Sequence, residues 1–244
     1  MATTTTERTG TAERGTGGTA SRVGYLGAAS FAIAAAWYGL ATHGVTMATK
    51  PTPGPSVPVA EAQRQFMTWF VTTLHQERLY TGIAAVGFLC LMASAMFVRD
   101  LIGRDLPLTR IAIAAIVTGS TLWIVGSVAQ LGEHRAVGLL ATHDYSTETT
   151  SAIMFTSDMV QDALEVAAFV AIGIGMLVFA RAAALAHVPG RGWELFTLVL
   201  GTAALALAVL HVSKVGDGED VLLLTIGAVL VPVWLVWSGR RFAR

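Results

Sequence analysis

The segment TSDMVQDALEVAAFV, residues 156–170, sets three carboxylates at the front of an apolar run that continues to Ala180. Asp158, Gln161, Asp162 and Glu165 recur at i, i+3, i+4 and i+7, so a helix carries all four on one face. Asp158 fits an N-cap, with Gln161 three residues on as in a capping box, and its charge complements the helix dipole. Asp162 and Glu165 lie one and two turns deeper, where capping has faded. A carboxylate inside a membrane span costs a few kcal/mol or more unless it faces the bundle interior with partners. The fold follows from whether this run crosses a membrane, and the rest of the chain answers that.

Of the 244 residues, 54% are hydrophobic and 13% charged, and the mean hydropathy is +0.61. Soluble domains carry about 25% charged residues, so this outer surface is expected to face lipid. Sixteen Lys and Arg balance sixteen Asp and Glu, which removes the basic field that nucleic-acid binding needs. One cysteine, Cys90, sits inside an apolar run and excludes a disulfide framework.

Six apolar segments are present, at residues 23–47, 79–98, 111–131, 159–180, 195–212 and 221–237. Each approaches the roughly 20 residues that cross a hydrocarbon core as a helix. The expected fold is therefore all-α: a polytopic membrane protein, a six-transmembrane-helix bundle over residues 23–244. Residues 1–22, rich in Thr, Gly and Ala, are expected to form a disordered cytoplasmic tail. With both termini inside (N-in/C-in), eleven Lys and Arg fall in inner segments and five in outer ones, as the positive-inside rule requires. The expected location is the plasma membrane.

The first outer loop opens with TKPTPGPSVPV (49–59), whose four prolines impose an extended or turning path. Beyond it, Phe66, Met67, Phe70, Val71 and Leu74 share one helical face, predicting a short interfacial helix that runs into the second span near Leu79. Residues 132–157 are expected to be a polar outer loop. Stretches such as AIAAIVTGS, AIGIG and GTAALALAVL supply small residues that let helix backbones approach.

Polar residues are unevenly placed. Five of the six histidines, and most acids, fall on the outer side. At 1.5 Å per residue, Glu165 is about 24 Å from Arg181, His211 about 25 Å from Glu194, His43 about 31 Å from Arg22, and Arg78 about 31 Å from Arg99. His43, Arg78, Glu133, Asp162, Glu165 and His211 are thus expected in one layer beneath the outer surface.

Three roles fit such a layer. The leading one is structural, in a protein acting alone, as a homo-oligomer or as a subunit of a membrane complex: Arg78 or Arg135 pairs with Asp162, and His43 or His211 donates to Glu165. The second is a metal or haem site using His43, His211 and Glu165, a donor set suited to Zn, Fe, Cu or Mn. No close ligand motif supports it: GEHRAVGLLATHD holds His134 and His143 nine apart. The third is proton- or cation-coupled transport, against which stands the lack of any charge at mid-membrane. GDGED (216–220) has neither the spacing nor the terminal Glu of a calcium loop, and VPGRGW (188–193) is too short for a phosphate loop. No catalytic triad, dinucleotide fingerprint or paired-cysteine site is present.

Overall fold

The computed structural model describes residues 7–40, 49–103, 106–142, 146–188, 190–213 and 216–242. The described chain is all-helical. Its helices are α1 (Glu7–Trp37), α2 (Val59–Ile102), α3 (Pro107–Thr142), α4 (Thr147–Leu185), α5 (Arg191–Ser213), α6 (Gly216–Thr225) and α7 (Val231–Phe242), with a π-helical turn, Ile226–Leu230, joining the last two. Six spans are long and apolar enough to cross a membrane: Gly18–Leu40, Arg78–Asp100, Pro107–Leu140, Glu148–Leu185, Arg191–Ser213 and Gly218–Arg241. Large apolar side chains such as Ile111, Val128, Val199 and Val209 are exposed along them. An apolar exterior this extensive belongs in lipid, since water-soluble monomers rarely expose apolar patches above a few hundred Å².

Helix ends differ from expectation in informative ways. α1 begins at Glu7 and takes in most of the stretch expected as a tail. The amphipathic segment after Pro58 runs into the second span without a break, forming the first turns of α2, which is continuous for 44 residues to Ile102. Its apolar face is used as predicted where the side chains are described, with Met67 buried and Phe70 set edge-on to His134 at 5.1 Å. The expected loop over residues 132–157 is instead helical at both sides of a short connection. α3 runs on to Thr142 and α4 starts at Thr147, capped by Ser146, whose Oγ accepts from the Thr149 N–H at 3.2 Å. Asp158 is therefore no N-cap. It lies more than two turns inside α4, because the cap residue and first-turn acid that start the helix are Ser146 and Glu148.

The spans form a ring in which α1 meets α2 and α7, α2 meets α3, α3 packs most extensively on α4, and α4 packs on α5. Small residues make the closest approaches. A Cβ on Gly119 would lie 2.6 Å from the Ala168 carbonyl oxygen, and one on Gly175 would lie 2.9 Å from that of Ala112. Residue numbers fall on one helix as they rise on the other, so α3 and α4 are antiparallel. The same pattern holds for α4 with α5, through Gly173 and Gly201, and for α1 with α7, through Gly24 against Leu235 and Gly239 against Ala20.

The ring closes between α5 and the α6–α7 span, where packing is sparse. Hydrogen bonds take over at the α7 end. Trp193 Nε1 donates to Ser238 Oγ and Trp234 Nε1 to Thr197 Oγ1, each at 3.0 Å, and all four side chains are buried. Buried indole N–H groups require such partners. Gly190 turns the chain into α5 with φ +114, and its missing Cβ leaves room for the Arg241 guanidinium. The π turn has a local cause in Pro232. Proline cannot donate to the carbonyl four residues back and its ring clashes there, so the preceding turn widens and Val231 N–H bonds Ile226 O instead.

Candidate functional site

The acidic face of α4 meets α5 and α6 at the end of the bundle opposite Trp193. His211, in the last turn of α5, is the centre of the contact. Its Nδ1 lies 2.5 Å from Glu219 Oε1 on α6, and its Nε2 lies 3.5 Å from Asp162 Oδ1 on α4. A neutral imidazole donates from one nitrogen, whereas a protonated one donates from both. A protonated ring hydrogen-bonds Glu219 and stands at ion-pair distance from Asp162, where Nε2 makes no hydrogen bond of good geometry, and it brings three helices together. The Glu219 contact has hydrogen-bond length, and Asp162 is the looser, more exposed partner.

Glu165 lies one turn deeper than Asp162 on the same face. Its Oε1 accepts from Gln161 Nε2 at 3.0 Å, the i, i+4 relation that the sequence spacing allows. His211, Asp162 and Glu219 are within electrostatic reach of its carboxylate. The expected donation from His211 to Glu165 is replaced by the contacts to Asp162 and Glu219.

α1 and α2 close the layer with tyrosines. Tyr38 donates its hydroxyl to Asp220 Oδ1 at 3.3 Å, and its ring lies 5.3 Å from that of Tyr80. Both tyrosines are within electrostatic reach of Glu165. The first, second, fourth, fifth and last spans therefore contribute to the layer, Tyr38 from the turn that follows α1.

Two expected members stand apart. Glu133 is buried on α3, beside Ser157 and Asp158 of α4. Among the described residues neither of its carboxylate oxygens makes a hydrogen bond of good geometry. Arg78 is exposed on α2, and its charge acts on His134, the residue after Glu133. Asp158 precedes Asp162 by one turn, about 6 Å along α4. The single layer expected from helix depth is thus two storeys, Glu133, His134 and Asp158 in one and Asp162, Glu165 and His211 in the other. His43 lies outside the described residues.

Among the described residues, no group of three or more His, Cys, Asp or Glu converges as a metal-ligand set. The geometry at His211 accounts for this in its own neighbourhood. The two ring nitrogens point in different directions, each to a different carboxylate, so the three side chains share no common centre.

Sequence reasoning missed Glu219, Asp220, Tyr38 and the burial of His134. GDGED lacks the spacing of a calcium loop, and its two last residues face inward to His211 and Tyr38. The available signal was their position in the first turn of a helix that follows His211 across a short connection. The chain matches no protein-family model, and neither curated proteins nor solved structures give a significant match.

Proposed function

We propose that the chain is a multi-pass protein of the plasma membrane with both termini cytoplasmic, whose His211-centred layer lies toward the external side and holds the helices in register. Its role is structural, as a component of an assembly within the lipid bilayer. One observation carries this reading: His211 stands between Asp162 of α4 and Glu219 of α6, at the seam where α5 and the last span approach each other least extensively. Polar ties inside a membrane bundle specify register more than they add stability. The orientation rests on the eleven-to-five bias of Lys and Arg.

Two experiments test it. Single cysteines placed at Thr149 and at Arg191, in a Cys90→Ala background, are probed with a membrane-impermeant maleimide on intact cells. Labelling at Thr149 and protection at Arg191 is expected; the reverse refutes the orientation. A double-mutant cycle of His211→Ala with Glu219→Ala, read by unfolding in mixed micelles, should give a coupling of about 0.5–2 kcal/mol. Additive losses would remove the structural role of the pair.

Glu165 favours a second reading, proton- or cation-coupled transport. A partly buried carboxylate on a membrane span, hydrogen-bonded by a neutral amide, is the kind of group that carries protons in transporters. Protein reconstituted in liposomes with an internal pH dye would show flux that Glu165→Gln abolishes. Wild-type flux equal to that of empty liposomes dismisses this reading.

A further inference from the structure

Beneath the polar layer the ring encloses a cavity of about 70 Å³. That is several times the roughly 10–15 Å³, on a comparable measure, that one water requires. Among its largely aliphatic lining stand six aromatic side chains: Phe31, Tyr38, Tyr80, Phe88, Trp123 and Phe169. Small residues at facing positions, among them Ala34, Ala84, Ala204 and Gly227, leave the space that larger side chains would fill. Close-packed interiors hold few voids larger than a water, and a void forfeits dispersion contacts along its lining.

The aromatic side chains are ordered along the cavity. Phe31 meets Phe88 edge-on at 5.0 Å, and Phe88 stacks on Trp123 at 4.3 Å. Trp123 meets Tyr80 edge-on at 6.5 Å, and Tyr80 lies 5.3 Å from Tyr38. The wall thus passes from wholly apolar to phenolic, and its phenolic end lies against Glu165 and Asp220. The remaining side is formed by the π turn, which contributes Ile226 and Gly227. Wide turns of this kind occur frequently at functional sites. The lining residues that keep some exposure, Tyr38, Tyr80, Leu223, Leu224 and Gly227, gather at this phenolic end and along the seam between α1 and the last span.

We propose that this cavity is a binding site for a small planar lipophile of one ring that carries a hydroxyl or carbonyl oxygen as a substituent, taken up from the bilayer. Aromatic walls in stacked and edge-on arrangements accommodate a flat ring, and a tyrosine hydroxyl either donates to or accepts from its oxygen. The ring lies among Phe88, Trp123 and Phe169, and the oxygen meets Tyr80. Apolar walls with one or two polar groups that fix orientation are the usual constitution of a small-molecule site.

The test uses the full-length protein in mild detergent with thymol as probe, and p-cymene, the same ring and alkyl groups without the hydroxyl, as its counterpart. Binding is followed by calorimetry and by Trp fluorescence, with Trp123→Phe as the spectroscopic control. Saturable thymol binding is expected, about fivefold tighter than p-cymene, the equivalent of one neutral hydrogen bond. Tyr80→Phe should bring thymol down to the level of p-cymene. Ala84→Leu, which fills the cavity, should abolish binding of both while the protein stays folded. If that variant fails to fold, Ala204→Leu fills the same space from α5. Non-saturable partitioning of thymol overturns the proposal, as does unchanged binding in the folded cavity-filling variant. Equal affinity for the two probes overturns the assignment of the oxygen to Tyr80.

Discussion

Replacing Gly173 by Ala should destabilise the bundle, although the same substitution elsewhere in a helix improves it. A Cβ at Gly173 would lie 2.8 Å from Leu205 Cγ and 2.9 Å from the Gly201 carbonyl oxygen. A leucine tip can turn aside, but a helical carbonyl cannot. Restoring ordinary contact separates α4 from α5 by roughly 0.5–1 Å at the crossing, a gap that forfeits a quarter to a half of each dispersion contact there. Overpacking of this kind costs about 1–3 kcal/mol, and the better helix propensity of Ala returns about 1 kcal/mol. A net loss of up to about 2 kcal/mol is expected. Gly82 is the control: a Cβ there meets nothing within 4 Å, so Gly82→Ala should gain up to about 1 kcal/mol. Unfolding in mixed micelles of dodecyl maltoside and dodecyl sulfate, followed by circular dichroism, gives both values. Gly201→Ala should add less in the Gly173→Ala background than alone, because the helices have already parted. If Gly173→Ala stabilises as Gly82→Ala does, the close α4–α5 crossing is wrong, and with it the placement of Asp162 against His211.

Three further outcomes are expected. His211→Ala should cost about 1–3 kcal/mol by leaving Glu219 without its short contact, whereas Asp162→Asn should cost under about 1 kcal/mol, since that contact is 3.5 Å and the side chain is 44% exposed; equal losses in the micelle assay would reverse the ranking of the two carboxylates. Thr197→Val keeps side-chain volume but deprives the buried Trp234 indole of its acceptor, so a loss of about 1–3 kcal/mol with a shifted Trp emission is predicted; an unchanged melting curve would show that this bond contributes nothing. Pro232→Ala restores a donor to the last span and should convert the π turn to α-helix. Spin-label distances across Thr225 and Trp237 would then lengthen by about 1–2 Å, since one residue joins the regular helical rise, and an unchanged distance would assign the wide turn to another cause.

The six membrane spans were legible because hydropathy reports burial in lipid directly, and each apolar run falls within a helix where the chain is described. Helix ends were not. The apolar runs stop near Leu131 and begin again at Met159, but α3 and α4 continue to Thr142 and from Thr147. Beyond the apolar runs these segments pack on each other and on the start of α2, through Glu133, His134 and Thr150, which are buried polar residues with no apolar signature. The spacing of Asp158, Asp162 and Glu165 gave the correct shared face and the wrong cap. Depth arithmetic brought Asp162, Glu165 and His211 to one level, as observed. It also assigned Glu133 and Arg78 to that level, because it counts rise along each helix and is blind to how adjacent helices slide. Glu219 sits in the first turn of α6, beyond a short connection whose path no periodicity reveals.

The ring has a consequence for how the protein is made. α1 emerges first from the ribosome, yet its tightest backbone approaches, Gly24 to Leu235 and Gly239 to Ala20, belong to the sixth span. Until that span is synthesised, the small-residue face of α1 has only α2 beside it and stays open to lipid or to insertion chaperones. Closing the ring thus needs a contact between the first and the sixth of these spans, made only after the four between them have been synthesised. A chain stalled after α5 would present the Gly24 face and the polar side of His211 together, a combination that membrane quality control can read as an unfinished protein.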